Sequence, residues 1–151
     1  MPTVKKVLFP MELVELTREI APWVDLTARR FEAEVHVLHV IPDPGYWGVA
    51  YAMSPSHFDD EPALIHKAEK RAGDFCEEHL AKDLNVSIKA VVGDPAEEIL
   101  RYIEAESISM VVIGTHARRG LERVFFGSVA DRIVKSSPVP VLSVNPYAAN
   151  A

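Results

Sequence analysis

The chain has 151 residues, 48% hydrophobic and 25% charged, with a formal net charge of −6. That length suits a single domain, 1–151 with its core in 4–144, stable without disulfide or metal staples. The acidic balance leaves no basic field for nucleic acid or an anionic membrane, because Lys and Arg are dispersed apart from short clusters such as Arg29–Arg30 and Arg118–Arg119.

The N-terminal residues run directly into an apolar strand, Val4 to Phe9, with no signal-peptide pattern. Leu13, Leu16, Ile20, Val24, Ala28 and Phe31 follow at helical spacing, and Pro22 predicts a kink, or a helix that starts properly only near it. Val35 to Val40 is a second strand, with His36 and His39 on opposite faces as packing residues. The connection 42–60 is long for a compact domain and carries Tyr46, Trp47, Tyr51 and Phe58. It reads either as an Ω-loop packed on its own aromatics or as a lid or dimer contact. Leu64, Ala68, Ala72, Phe75, His79 and Leu80 form a second helical stripe. The lone cysteine, Cys76, has no thiolate-activating neighbour and reads as a small core side chain. One cysteine excludes an internal disulfide and suits a reducing compartment. No stretch has the apolar length of a membrane span, so the cytoplasm is the expected location.

Val86 to Val92 is a third strand. Asp94-Pro95-Ala-Glu-Glu then supplies a capping acid, a first-turn proline and acidic residues at the positive end of a helix dipole. Ile99, Tyr102 and Ile103 face inward from that helix. Met110 to Ile113 is a fourth strand. A last helix from about Ser128 to Ser137 turns Val129, Ile133 and Val134 inward and stops before Pro138 and Pro140, and Val139 to Val144 is the fifth strand. Strands alternating with helices predict an α/β fold, a five-stranded parallel sheet of order 3-2-1-4-5 with helices on both faces. Ligands of such sheets bind at the carboxyl ends of the strands, where the winding reverses. That rule selects the segments after strands one, two and four.

The segment after strand four, 114–128, carries the chemistry. Gly114 lets the chain turn off a buried strand and lets a ligand approach the backbone. Gly127 and Ser128 stand at a helix start, where free N–H groups and the dipole favour an anion, and Arg118 and Arg119 lie between. A phosphate chain suits this loop, although glycine at a strand end and Gly-Ser at a helix start also occur without a ligand. The segment is neither a Walker loop nor a GxGxxG fingerprint. The six histidines show no metal-ligand spacing, and no nucleophilic triad is discernible.

The spacing Gly114-x2-Ala117-x9-Gly127-Ser128 resembles the signature of the universal stress protein family, as do Lys5-Lys-Val-Leu-Phe-Pro, Val91-Val-Gly-Asp-Pro-Ala-Glu-Glu-Ile and the run from Gly127 to Leu142. The resemblance spans Val4 to Val144. It implies the Rossmann-like, adenine nucleotide α-hydrolase-like fold, a homodimer, and in some members ATP binding accompanied by Mg²⁺. Carried to this chain, it implies that Gly114, Thr115, His116, Ala117, Arg118, Gly127, Ser128 and Val129 form the phosphate and ribose loop. It likewise implies that Val40 meets the base through its backbone and that Pro10, Met11 and Glu12 flank base and ribose. Two positions depart from the family pattern: Ala117 replaces the second glycine, and Glu12 stands where an Asp is usual.

The expected function is that of a dimeric, ATP-binding regulatory module with no catalytic residues and at most slow ATP hydrolysis. The alternatives are an interaction module of the same fold that binds a protein partner without nucleotide, or a weak nucleotide hydrolase or transferase. The homodimer is expected to pair through the strand at 139–144.

Overall fold

The computed structural model describes residues 1–13, 15–43, 60–115 and 126–148. Its elements are β1 (Lys6–Pro10), a 3-10 turn (Glu15–Glu19), α1 (Ala21–Phe31), β2 (Glu34–Pro42), α2 (Glu61–His79), β3 (Val86–Gly93), α3 (Pro95–Ala105), β4 (Met110–Gly114), α4 (Phe126–Ser136) and β5 (Val141–Val144). The five strands form one sheet in the order β3-β2-β1-β4-β5, and every neighbouring pair is parallel. The expected architecture and strand order are those observed. The connection 42–60 lies almost wholly outside the described residues.

Continuous apolar strands imply cover on both faces, and β1 shows it. Val7, Leu8 and Phe9 are all buried, and they alternate between two cores. Val7 and Phe9 join Val35, Val37, Val24, Ala28, Ala72 and Cys76 on the face covered by α1 and α2. Leu8 joins Leu38, Val40, Ile99, Ile103, Val129 and Ile133 on the face covered by α3 and α4.

Pro22 sets where α1 begins. The helix opens at Ala21 with the proline in its first turn, and the residues before it form the 3-10 turn. In α2 the deepest line is Ala68, Ala72 and Cys76, with Phe75 and Leu64 only partly buried. Small side chains let that helix lie close on the sheet. Asp94 caps α3 by accepting from the Glu97 N–H at 3.0 Å, and Ile99, Tyr102 and Ile103 are buried as expected. Two expectations on α4 need correction. The helix begins at Phe126, two residues before Ser128. Val134 is 54% exposed, because it sits about 100° around the helix from Ile133, beyond the arc that meets the sheet.

Both α1 and α3 end in a left-handed residue that is not glycine: Glu32 at φ 52° and Ser107 at φ 54°. In each case the next N–H reaches back into the last turn, Ala33 to the Ala28 carbonyl at 2.9 Å and Ile108 to the Ile103 carbonyl at 3.0 Å. These are Schellman closures, which reverse the chain into the following strand.

Candidate functional site

The gap at the carboxyl end of β1 follows from hydrogen-bond parity. In a parallel strand the N–H and C=O of one residue face the same neighbour, and successive residues alternate sides. The Lys5 carbonyl accepts from Glu34 of β2, and the Lys6 carbonyl accepts from Ser109 just before β4. Odd residues of β1 therefore face β2, and even residues face β4. Pro10, an even residue, has no N–H to give β4, and the β1–β4 register runs only through Val7–Met110 and Leu8–Val111. On the other side the ladder closes with the Met11 N–H donating to the Leu38 carbonyl at 2.9 Å. The β1–β2 register ends at Pro10–Leu38.

Both neighbours of β1 continue beyond that point. Leu38 turns its main chain toward β1, so Val40 does too, at a level where β1 has turned away. The Val40 side chain is buried in the α3–α4 core, which leaves its main chain as the group it presents to the gap. On β4, odd residues face β5, since Val111 donates to Pro140 and Thr115 to Val144, each at 2.9 Å. Gly114 therefore turns its N–H and C=O toward β1 from the opposite side, with no side chain in the way.

The first loop leaves Pro10 under tight restraint. The Met11 side chain is buried with Val7, Phe9, Ile20 and Val24, so the loop presents Met11 to the gap by main chain alone. The Met11 carbonyl accepts from His39 Nδ1 at 2.8 Å. The next carbonyl, that of Glu12, accepts from the Thr17 hydroxyl. The Glu12 side chain is half-buried.

Gly127 and Ser128 fall in the first turn of α4, whose N–H groups have no carbonyl of their own helix to meet. Val129 is buried against the α3–α4 core. Arg132, one turn on, donates to the Asp94 carboxylate at 3.0 Å and lies 3.8 Å from Glu97. The same Asp94 oxygen receives the α3 cap, so one buried carboxylate ties the start of α3 to the middle of α4. Sequence reading finds the cap and misses Arg132, because nothing local links residues 38 apart. It also misses His39 as the partner of the first loop. His116, Ala117 and Arg118 lie outside the described residues.

Other candidates are quieter. Burial pushes the Cys76 thiol up to about 11, so it stays protonated and inert. His36 Nδ1 pairs with the Tyr102 hydroxyl at 2.8 Å inside the α3 core. Among the described residues no group of three or more His, Cys, Asp or Glu could hold a metal ion, and no helix is long and apolar enough to cross a membrane. A cleft of about 100 Å³ beside Lys89, Arg101 and Tyr102 is well below the roughly 300 Å³ of ordinary ligand pockets.

A doubly wound parallel sheet whose winding reverses between β1 and β4 defines a class of α/β folds whose ligands, where they have them, lie at the carboxyl ends of the strands. The universal stress protein family model matches residues 3–145, and the chain belongs to that family. It is 32% identical to the universal stress protein MJ0577 of Methanocaldococcus jannaschii, over 93% of this chain and 94% of the relative. It is 28% identical to MJ0531 of the same organism, over 93% and 81%. The solved structure of MJ0577 superposes with a TM-score of 0.74 at 28% identity, covering 95% of this chain and 96% of that one. A universal stress protein from Archaeoglobus fulgidus, solved in complex with dAMP, shares the fold at a TM-score of 0.58 and 16% identity, covering 96% of this chain and all of that one.

Proposed function

We propose that this chain is a single-domain, cytoplasmic regulatory protein that binds an adenine nucleotide, ATP with its accompanying Mg²⁺, at the gap beyond β1, and that it works as a homodimer. The observation that carries the reading is the placement of the Val40 and Gly114 main chains on either side of the end of β1, with the first turn of α4 following the Gly114 loop. The N–H and C=O of Val40 form a donor beside an acceptor, the complement of the N1 and N6 edge of adenine. The first turn of α4 at Gly127–Ser128 suits phosphate. Solved relatives of the same fold in complex with dAMP and with cAMP are in keeping with an adenine ligand. A Mg²⁺ accompanying the nucleotide would be held mainly by the phosphates and by water, as that ion usually is. The residues proposed to hold the loop side, Thr115, His116, Ala117, Arg118, Gly127 and Ser128, come from the family pattern.

The site is one for binding. Its described parts are main-chain groups, a helix start and the Glu12 carboxylate, which the family pattern assigns to the base and ribose and not to an attacking water, so turnover is proposed to be at most slow. Calorimetric titration with Mg-ATP tests the reading: the wild-type chain gives a saturable heat, and Gly127→Trp removes it. A Gly127→Trp variant that binds at full strength would move the phosphates away from α4. The departures at Glu12 and Ala117 favour a second reading, a dimer of the same fold that acts on a protein partner without nucleotide. A folded wild-type protein that gives no heat with Mg-ATP selects it.

A further inference from the structure

We propose that His39 is the positioning residue of the adenine site: its side chain ends the β1–β2 ladder one step early and thereby leaves the Val40 main chain open to the base. The inference rests on the nucleotide reading above and adds a residue to it.

Where the Met11 N–H meets the Leu38 carbonyl, the next bond of a continuing parallel ladder would run from the Val40 N–H to the Met11 carbonyl. That carbonyl instead accepts from His39 Nδ1 at 2.8 Å. A carbonyl oxygen only accepts, so Nδ1 carries the proton and the neutral ring has its lone pair on Nε2. The side chain of β2 thus occupies one lone pair of that carbonyl from outside the ladder, and among the described residues no bond from the Val40 N–H to Met11 forms. The ring approaches from the α2 face, since His39 is one residue out of phase with Leu38 and Val40, whose side chains lie in the opposite core.

Two consequences follow for the site. The first loop is fastened at consecutive carbonyls, Met11 by His39 and Glu12 by Thr17, so the segment that carries Glu12 leaves β1 along one path. The Val40 N–H is also withheld from β1 and stays available beside its own C=O. That pair accepts adenine, which offers an acceptor at N1 and a donor at N6. It opposes guanine, which offers the reverse polarity at N1 and O6. His39 therefore acts on base selectivity without touching the base.

The test uses the full chain, with Mg-ATP and Mg-GTP as probes. His39→Leu removes the donor and keeps the bulk; His39→Asn keeps an N–H donor near the position of Nδ1. The expected result is about a tenfold loss of ATP affinity in His39→Leu with most of the ATP over GTP preference gone, and affinity within about threefold of wild type in His39→Asn. A purely structural role would lower thermal stability without collapsing the base preference. His39→Leu binding ATP like wild type with its preference intact overturns the proposal. So does equal weakness in His39→Leu and His39→Asn, since it would make ring packing, and not the donor, the relevant property. Nitrogen NMR of the wild-type protein decides the matter if His39→Leu does not fold. A neutral ring protonated at Nδ1, with a Val40 amide that exchanges readily and becomes protected on adding ATP, supports the proposal; protonation at Nε2 overturns it. A wild-type protein that binds neither nucleotide sinks the nucleotide reading itself, while the tautomer and Val40 exchange still judge the ladder.

Discussion

His39 lies at the level where the sheet opens, under α2. Burial pushes its pKa below the usual 6.5, the Met11 carbonyl pulls it back, and the Arg71 guanidinium on α2 lowers it further. The folded value is depressed, so the unfolded chain takes up the proton more readily. The stability tied to the neutral ring is present above about pH 6.5 and is lost as pH falls from there through the lower folded value. Urea denaturation of wild type and His39→Asn at pH 7.5 and 5.0 checks this: wild type loses more stability on acidification, and an equal loss in both would place the ring in an environment without that penalty. Periodicity alone puts His36 and His39 on opposite faces of β2. Their partners are not legible, because Tyr102 lies 66 residues from His36 and Met11 lies 28 from His39. The same limit hides Arg132 behind Asp94, whereas the cap and first-turn proline of α3, being local, can be read directly.

Element boundaries follow local chemistry wherever a proline or a capping acid is present. Pro22 starts α1, Asp94–Pro95 starts α3, and Pro140 precedes β5, where its carbonyl still accepts from Val111. The start of α4 is less legible, since Phe126 carries no helix-start signal and Gly127 suggests a turn. The two Schellman closures have no glycine to announce them. A non-glycine residue in the left-handed region costs roughly 1–2 kcal/mol, part of which glycine gives back through its greater freedom in the unfolded chain. Glu32→Gly and Ser107→Gly are each expected to stabilise the fold by about 0.5–1 kcal/mol. Thermal denaturation measures it, and a lowered melting temperature in both variants would show that these residues hold the turn by side-chain contacts instead.

The sheet has two unlike edges. On β3, Gly93 faces β2 through the Asp43 N–H, so Ala90, of opposite parity, turns its N–H outward, where Glu69 of α2 accepts it at 3.2 Å. The other edge is β5, short and apolar, with Leu142 37% exposed and Pro140 just outside the strand. An open apolar edge invites pairing, and the proposed homodimer joins two copies there about a two-fold axis. Sedimentation equilibrium at micromolar concentration is expected to give a dimer, and Leu142→Glu a monomer. A dimer that persists in Leu142→Glu places the interface elsewhere.

Glu69 then bears on when assembly stops. Two copies joined at β5 would present only β3 strands to the outside, and the carboxylate that accepts from the Ala90 N–H stands where an incoming strand would have to register. In the proposed homodimer this side chain would oppose the addition of a further strand at Ala90, in keeping with an assembly of two subunits.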